Sequence, residues 1–291
     1  SALPYNARLI MLGDKDQLAS VDAGAVLGEL CQRANAGHYR PETLDWLESV
    51  TGYRLPDELA DANGQPLDQA VGMLRKSYRF DQHSGIGVLA LATNEGRLDK
   101  GLIRQCQSDE FPDVAWLGRS ALLTNSSESP ATPGALIPLA RHARTGSAAL
   151  FPNAGQGRVV KGEPVEAPVG YGHYLGIMAG ERPNATDAPE DRPQWDAWAK
   201  SVLSAFGQFQ VLCALRKGPF GVEGLNQLVA AELRAAGLID KTEGWYAGRP
   251  LLVTGNDYNL GLMNGDIGVT LNVPWDRNEQ GEPVNTLRVA F

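Results

Sequence analysis

The loop Gly13-Asp14-Lys15-Asp16-Gln17-Leu18-Ala19-Ser20-Val21 follows the apolar run Leu9-Ile10-Met11-Leu12. A continuous apolar run of this length fits a buried parallel strand, and function concentrates in the loop at the carboxyl end of such a strand. From there Gln17 could present its amide to a phosphate oxygen and report whether a nucleotide carries its terminal phosphate. The bare spacing serves equally well for an Asp/Gln-rich turn that starts the next helix. A second string, Leu74-Arg75-Lys76-Ser77-Tyr78-Arg79-Phe80, sets an aromatic ring beside arginine. Taken alone, it reads as a basic surface strand.

Other chemistries find less support. Cys31, Cys106 and Cys213 are far apart, and His38, His83, His142 and His173 form no ligand-like pair, so neither a metal site nor a disulfide is expected. A phosphate-binding loop needs G-x-x-x-x-G-K-[ST], and the sequence contains no Gly-Lys dipeptide. Asp57-Glu58 follows Pro56 and Asp109-Glu110 follows a polar stretch, so no apolar strand runs into a magnesium-holding carboxylate pair. Gly85-Ile86-Gly87 is too short to cradle a dinucleotide. The triphosphate cradle is therefore missing from these residues.

The elements that must carry the two strings follow from periodicity. Helical spacing covers residues 23–36 with Gly37 as C-cap, and residues 41–50 with Pro41 in the first turn and Gly52 as the stop. A domain boundary is placed near residue 72, and a further helix begins near Ser84 and ends at Asn94-Glu95-Gly96. Residues 111–193 are the least regular, with loops at 125–130 and 151–172, helices at 134–144 and 172–179, and an acidic, proline-rich connection at 181–196. A helix from Trp195 to Phe206, an apolar strand from Phe209 to Leu215 and a helix over 221–236 predict an open α/β sheet. Residues 250–254, 266–273 and 286–291 read as strands joined by Asn/Gly/Asp turns, a small antiparallel unit. The last strand runs to Val289-Ala290-Phe291 with no turn after it, which reads as truncation.

With 291 residues, 43% of them hydrophobic, the chain can hold about two compact domains. No run of about 18 apolar residues appears and the N-terminus lacks the build of a secretory signal, so a cytoplasmic protein without membrane contact is expected. A net charge of −8 provides no global basic face for nucleic acid, but a local groove for a single strand is compatible with an acidic remainder.

The order of three blocks is more specific than any of them. The Gln17 loop is similar to the third conserved motif of superfamily 1 DNA helicases, and the Tyr78-Arg79 string resembles the fourth. The third block comprises Phe209-Gln-Val-Leu-Cys-Ala-Leu-Arg-Lys-Gly-Pro-Phe-Gly-Val-Glu-Gly-Leu-Asn226, then Gly248-Arg249-Pro250 and Asn256-Asp-Tyr-Asn-Leu-Gly-Leu-Met-Asn264-Gly-Asp-Ile-Gly268. It resembles RecD-type helicase chains, the alpha subunits of exodeoxyribonuclease V, and Tyr171-Gly172-His173-Tyr174-Leu175 adds a weaker match. The resemblance covers residues 3–38, 70–93 and 200–291 and is poor over 100–170.

The resemblance implies an α/β fold: the C-terminal part of a first RecA-like domain over residues 1–72, an incomplete second RecA-like parallel-sheet motor domain over 73–262, and the start of an inserted small β-barrel over 263–291. It implies catalytic roles for Gln17 and Arg79 and nucleotide contacts from Asp14, Gln17, Tyr78 and Arg79. Tyr78 would stack at the base, and Arg79 would bring its planar, permanently charged fork to the γ-phosphate. Asn226, Asn256 and Asn264 would lie along single-stranded DNA, although Asn264 and Asp266 also suit a simple turn. ATP and Mg²⁺ are the implied cofactors of the whole motor, with no tight binding expected by these residues alone. Implied partners are single-stranded DNA and the beta and gamma chains of exodeoxyribonuclease V. An unpaired strand at 9–12 would also invite self-association. Two other classes remain open: a non-catalytic module that binds DNA or a partner, and an unrelated α/β nucleotide-binding enzyme, which would need a glycine-rich loop.

Overall fold

The computed structural model describes residues 4, 6–14, 24–75, 84–108, 110–111, 113–125, 127–132, 134–151, 159–160, 163–164, 166–184 and 192–291. The chain divides into two compact units, Ser1–Asp81 with Ala90–Arg97, and Gln82–Leu89 with Leu98–Phe291.

In the first unit α1 (Gly24–Leu30) leads through a 3-10 turn at Ala34–Ala36 into α2 (Pro41–Thr51). Pro41 presets the first turn of α2, and Gly52 ends it in the left-handed region at φ 72°, its N–H donating to the Glu48 carbonyl at 2.8 Å. Beyond α2 the chain folds back: the Tyr39 N–H donates to the Leu59 carbonyl and the Asp61 N–H to the Tyr39 carbonyl, a single parallel bridge. Gln69 fastens this return. Its amide oxygen accepts from the Arg40 N–H and the Thr43 hydroxyl, and its amide nitrogen donates to the His38 carbonyl. Asp68 is buried but fully engaged, by Arg33 at 3.2 Å and by the Gln65 N–H at 2.7 Å. The Asn63 N–H and then the His38 ring hold the Asp61 carboxyl below its ordinary range.

Residues 9–12 are not the buried strand that their composition predicts. They belong to no strand, and Ile10 and Leu12 are 82% and 92% exposed. A parallel strand needs a hydrogen-bonded neighbour, and among the described residues none lies beside this run.

α3 (Gly85–Asn94) contributes residues to both units. Its first turn is held within the second unit by Asp113, which accepts from the Ser84 hydroxyl at 2.6 Å and the Gly85 N–H at 2.9 Å. There follow α4 (Lys100–Gln107), α5 (Arg119–Leu122), α6 (Ile137–Thr145), the two-residue strands β1 (Val159–Val160) and β2 (Glu163–Pro164), α7 (Tyr171–Gly180), α8 (Arg192–Phe206) and α9 (Val222–Ala235). The chain closes with β3 (Pro250–Leu252), β4 (Ile267–Arg277) and β5 (Pro283–Ala290), an antiparallel sheet in that order. Helix α4 was not anticipated, although Asp99 caps it by accepting from the Leu102 N–H at 2.8 Å.

The larger core of the second unit joins α7, α8, α9 and β4, and a smaller one gathers Leu123, Ala135 and Leu136. Val269, Leu271 and Val273 of β4 point, at the strand period of two, into the cluster built by Tyr174, Leu175, Trp195, Trp198, Val202 and Phe206 of α7 and α8 and by Ala230 and Leu233 of α9. The expected antiparallel unit at the C-terminal end is thus present, packed on helices. The expected parallel sheet is not formed among the described residues, where both sheets are antiparallel. Residues 209–215, predicted as one of its strands, belong to no strand, and only Leu215 makes a lone parallel bridge, to Gly221. No helix of the described residues is long and apolar enough to cross a membrane.

Candidate nucleic-acid interface

Of the residues expected to meet a nucleotide, Gln17, Tyr78 and Arg79 lie outside the described residues, and Asp14 is exposed. The second string begins within them. Arg75 donates to the carbonyls of Asn35 and Ala34 at 2.7 and 2.8 Å, so its guanidinium is committed to the end of a 3-10 turn in the first unit. Among the described residues no cluster of His, Cys, Asp or Glu could hold a metal ion.

The second unit does hold a cleft, of about 440 Å³, between α7, residues 211–213, α9 along most of its length and the loop 239–250. Tyr171, the first residue of α7, forms one wall. Its ring stacks on Phe206 and meets Phe209 edge-on at 5.0 Å, and its hydroxyl accepts from the Val211 N–H at 3.1 Å. Burial raises the Tyr171 phenol above its ordinary range, partly offset by that hydrogen bond. Tyr246 forms the opposite wall with the Arg249 guanidinium 5.9 Å above its ring, and burial raises this phenol too while Arg249 opposes the shift. Arg249 is tethered by donating to the Gly244 carbonyl.

The wall around Arg249 is rigid because Gly248 is pinned on both sides. Its carbonyl accepts from the buried Tyr174 hydroxyl at 2.7 Å, and its N–H donates to the Thr270 carbonyl of β4 at 2.7 Å. At φ 88° this residue must be glycine, since a Cβ there would also press into Leu175. Depth comes from Leu225, Val229 and Leu233 of α9, and Asn226 stands exposed among the lining residues. Glu243 is the one carboxylate of the lining among the described residues.

Asn256 and Asn264 lie elsewhere, in the loop between β3 and β4, where they touch each other. The Asn264 N–H donates to the Asn256 side-chain oxygen at 2.8 Å, and the Asn256 amide donates to the Tyr258 hydroxyl at 3.2 Å. Asp257 accepts from the Asn259 and Leu260 N–H groups, and Asp266 accepts from the Met263 N–H at 2.7 Å. Gly265, at φ 100°, supplies the turn that the Asn-Gly pair predicts. Asp266 therefore serves the turn. This loop holds Tyr258 out at 76% exposure, an aromatic face on which a base could stack. Its single sequence signal was its place between the two asparagines. Tyr171 lay in the weakly matching string 171–175 and Tyr246 carried no signal beyond aromaticity, and neither pointed to a cleft, because the cleft joins residues far apart in the chain.

No family model matches the chain. The RecBCD enzyme subunit RecD of Haemophilus influenzae is 32% identical to it over 273 residues, which are 93% of this chain and 36% of that protein. RecD of Mycobacterium tuberculosis is 30% identical over 94% of this chain and 32% of its own length. Over nearly all of its length this chain is similar to RecD. A third RecD subunit, from Buchnera aphidicola (subsp. Acyrthosiphon pisum), is 24% identical over 93% of the chain. The chain spans about a third of the length of the RecD subunits it matches.

Proposed function

We propose that this chain is part of a RecD-type DNA helicase, the alpha subunit of an exodeoxyribonuclease V, whose whole protein uses ATP and Mg²⁺ to move along single-stranded DNA in double-strand break repair and recombination. The observation that carries this reading is the similarity to RecD subunits along 93% of the chain. Its partners in that reading are single-stranded DNA and the beta and gamma chains. In the same reading the two RecA-like domains divide near residue 72, residues 73–262 complete a parallel sheet with chain from the remainder of the protein, and residues 263–291 open a small β-barrel. Gln17 senses the terminal phosphate, Arg79 stabilises charge on it, and Asp14 and Tyr78 complete the nucleotide contacts. Asn226, Asn256 and Asn264 line the strand path, with Tyr258 and the tethered Arg249 as sequence-tolerant supports.

A second reading is favoured by one feature of the sequence, the lack of any Gly-Lys dipeptide. Without a phosphate-binding lysine the 291 residues by themselves form a non-catalytic module for DNA or a partner chain. ATPase activity with and without single-stranded DNA separates the two. The expected result is activity only in a protein extended at both ends, lost in Gln17→Ala and in Arg79→Ala. An extended protein that hydrolyses no ATP would leave the binding module as the better account.

A further inference from the structure

Helix α2 carries more apolar surface than the first unit uses. Leu44 and Leu47 are half-buried, and beside them the Thr43 hydroxyl is tied to Gln69, so this is the side on which the unit packs. A second stripe lies outside that contact. Trp46 and Val50, four residues apart and therefore one above the other, are 61% and 62% exposed, and Tyr53, just past the Gly52 stop, is 78% exposed. The end of the helix is fastened: the Thr51 hydroxyl donates to the Leu47 carbonyl at 2.7 Å and accepts from the Tyr53 N–H at 3.2 Å. Two aromatic rings and a β-branched side chain held in water on an ordered helix end are the residue types that anchor protein interfaces, where tryptophan and tyrosine carry much of the binding energy.

The charge around this stripe has one sign. Residues 41–61 hold six carboxylates and one arginine. That arginine, Arg54, is taken up by Asp57 at 3.3 Å and Glu48 at 3.8 Å. Glu42, one turn before Trp46, is exposed, as are Asp45 and Glu58, and among the described residues none of the three is in a salt bridge. This rim selects the occupant. A phosphate backbone is repelled by these carboxylates. A second copy meeting the stripe about a two-fold axis lays acidic rim against acidic rim. A protein face with an apolar hollow edged by lysine or arginine satisfies both the rings and the rim. We infer that Trp46, Val50 and Tyr53 anchor an interface between chains, and that the face they enter is such a basic-edged hollow on the beta or gamma chain of the enzyme. The carboxylates steer the approach, and the rings supply the hold. This inference rests on the RecD reading and adds to it a place on the surface where the chain meets its partners.

The test uses the protein extended at both ends, alone and with the beta and gamma chains added singly and together. Val50→Cys serves as reporter, labelled by N-ethylmaleimide and read site by site by mass spectrometry. Labelling at position 50 is expected to be fast in the subunit alone and at least about tenfold slower in the complex, where the interface excludes water. Trp46→Ala is expected to weaken assembly about thirtyfold. Glu42→Lys/Asp45→Lys is expected to slow association about tenfold at low salt and to flatten its salt dependence. Because these side chains are exposed, the Tm and ATPase activity of the isolated subunit are expected to stay unchanged in both variants. A complex in which position 50 labels as fast as in the free subunit, or full-affinity assembly of Trp46→Ala, would overturn the inference and leave the partner reading standing. Slow labelling of the subunit alone would also overturn it, assigning the stripe to the remainder of the same polypeptide if independent of concentration and to a second copy if it grows with concentration. An unaltered subunit that binds neither chain sinks the partner reading, and this inference with it.

Discussion

Burial holds the Tyr174 phenol far above its ordinary range, and the neighbouring Tyr246 and Tyr171 rings push in the same direction. The folded state therefore binds this proton more tightly than the unfolded chain does. Stability from this group is complete below the ordinary phenol pKa of about 10 and falls as pH rises beyond it. In alkaline titration, one phenolate is expected to appear only together with loss of the far-UV helix signal; smooth ionisation without unfolding would refute this. Tyr174→Phe keeps the ring but strips the Gly248 carbonyl of its donor, and is expected to cost about 1–3 kcal/mol at neutral pH by urea denaturation. In the first unit the constraint is steric. A Cβ at Gly64 would stand 2.0 Å from the His38 carbonyl oxygen, so Gly64→Ala is expected to destabilise that unit by more than about 2 kcal/mol, read by proteolysis of residues 34–71.

Helices whose limits are local were legible in the sequence. Pro41 and Gly52 bracket α2 as their backbone preferences require, and Gly96, at φ 65°, follows α3. The β3–β4–β5 unit was legible for the same reason, since its Asn-Gly turn is a local signal. Residues 9–12 and 209–215, read as strands, belong to no strand among the described residues, because a strand exists only when a distant segment pairs with it, and composition records the appetite but not the partner. The same physics limits the site. The contact of Asn256 with Asn264 spans eight residues and could be foreseen as a turn, whereas the cleft needs residues 171, 225 and 246 to meet. Helix α4 was missed although its cap was visible in the sequence: Asp99 is followed three residues later by the buried Leu102. Asp99→Ala is expected to cost about 1 kcal/mol in thermal denaturation, and Asp99→Ser to restore most of it.

At the scale of the whole molecule, the chain leaves much apolar surface uncovered. Leu9, Ile10, Met11 and Leu12 are 67%, 82%, 50% and 92% exposed. Such a stretch favours self-association, and sedimentation velocity is expected to show a weight-average mass that rises with concentration in the wild type but not in an Ile10→Lys/Leu12→Lys variant. A concentration-independent monomer in the wild type would rule this out. The two buried indoles of the second unit carry a different consequence. Trp195 and Trp198 meet edge-on at 5.5 Å, the Arg182 guanidinium lies 5.2 Å from the Trp195 ring, and the Trp195 N–H has no hydrogen-bond acceptor among the described residues. Trp46 and Trp245, each 61% exposed, already sit in water and will hardly change colour on unfolding. The molecule thus carries its own optical label: blue emission from the unsolvated indoles of α8 and β4 reports the packing of the second unit's core, and its red shift marks the moment solvent enters.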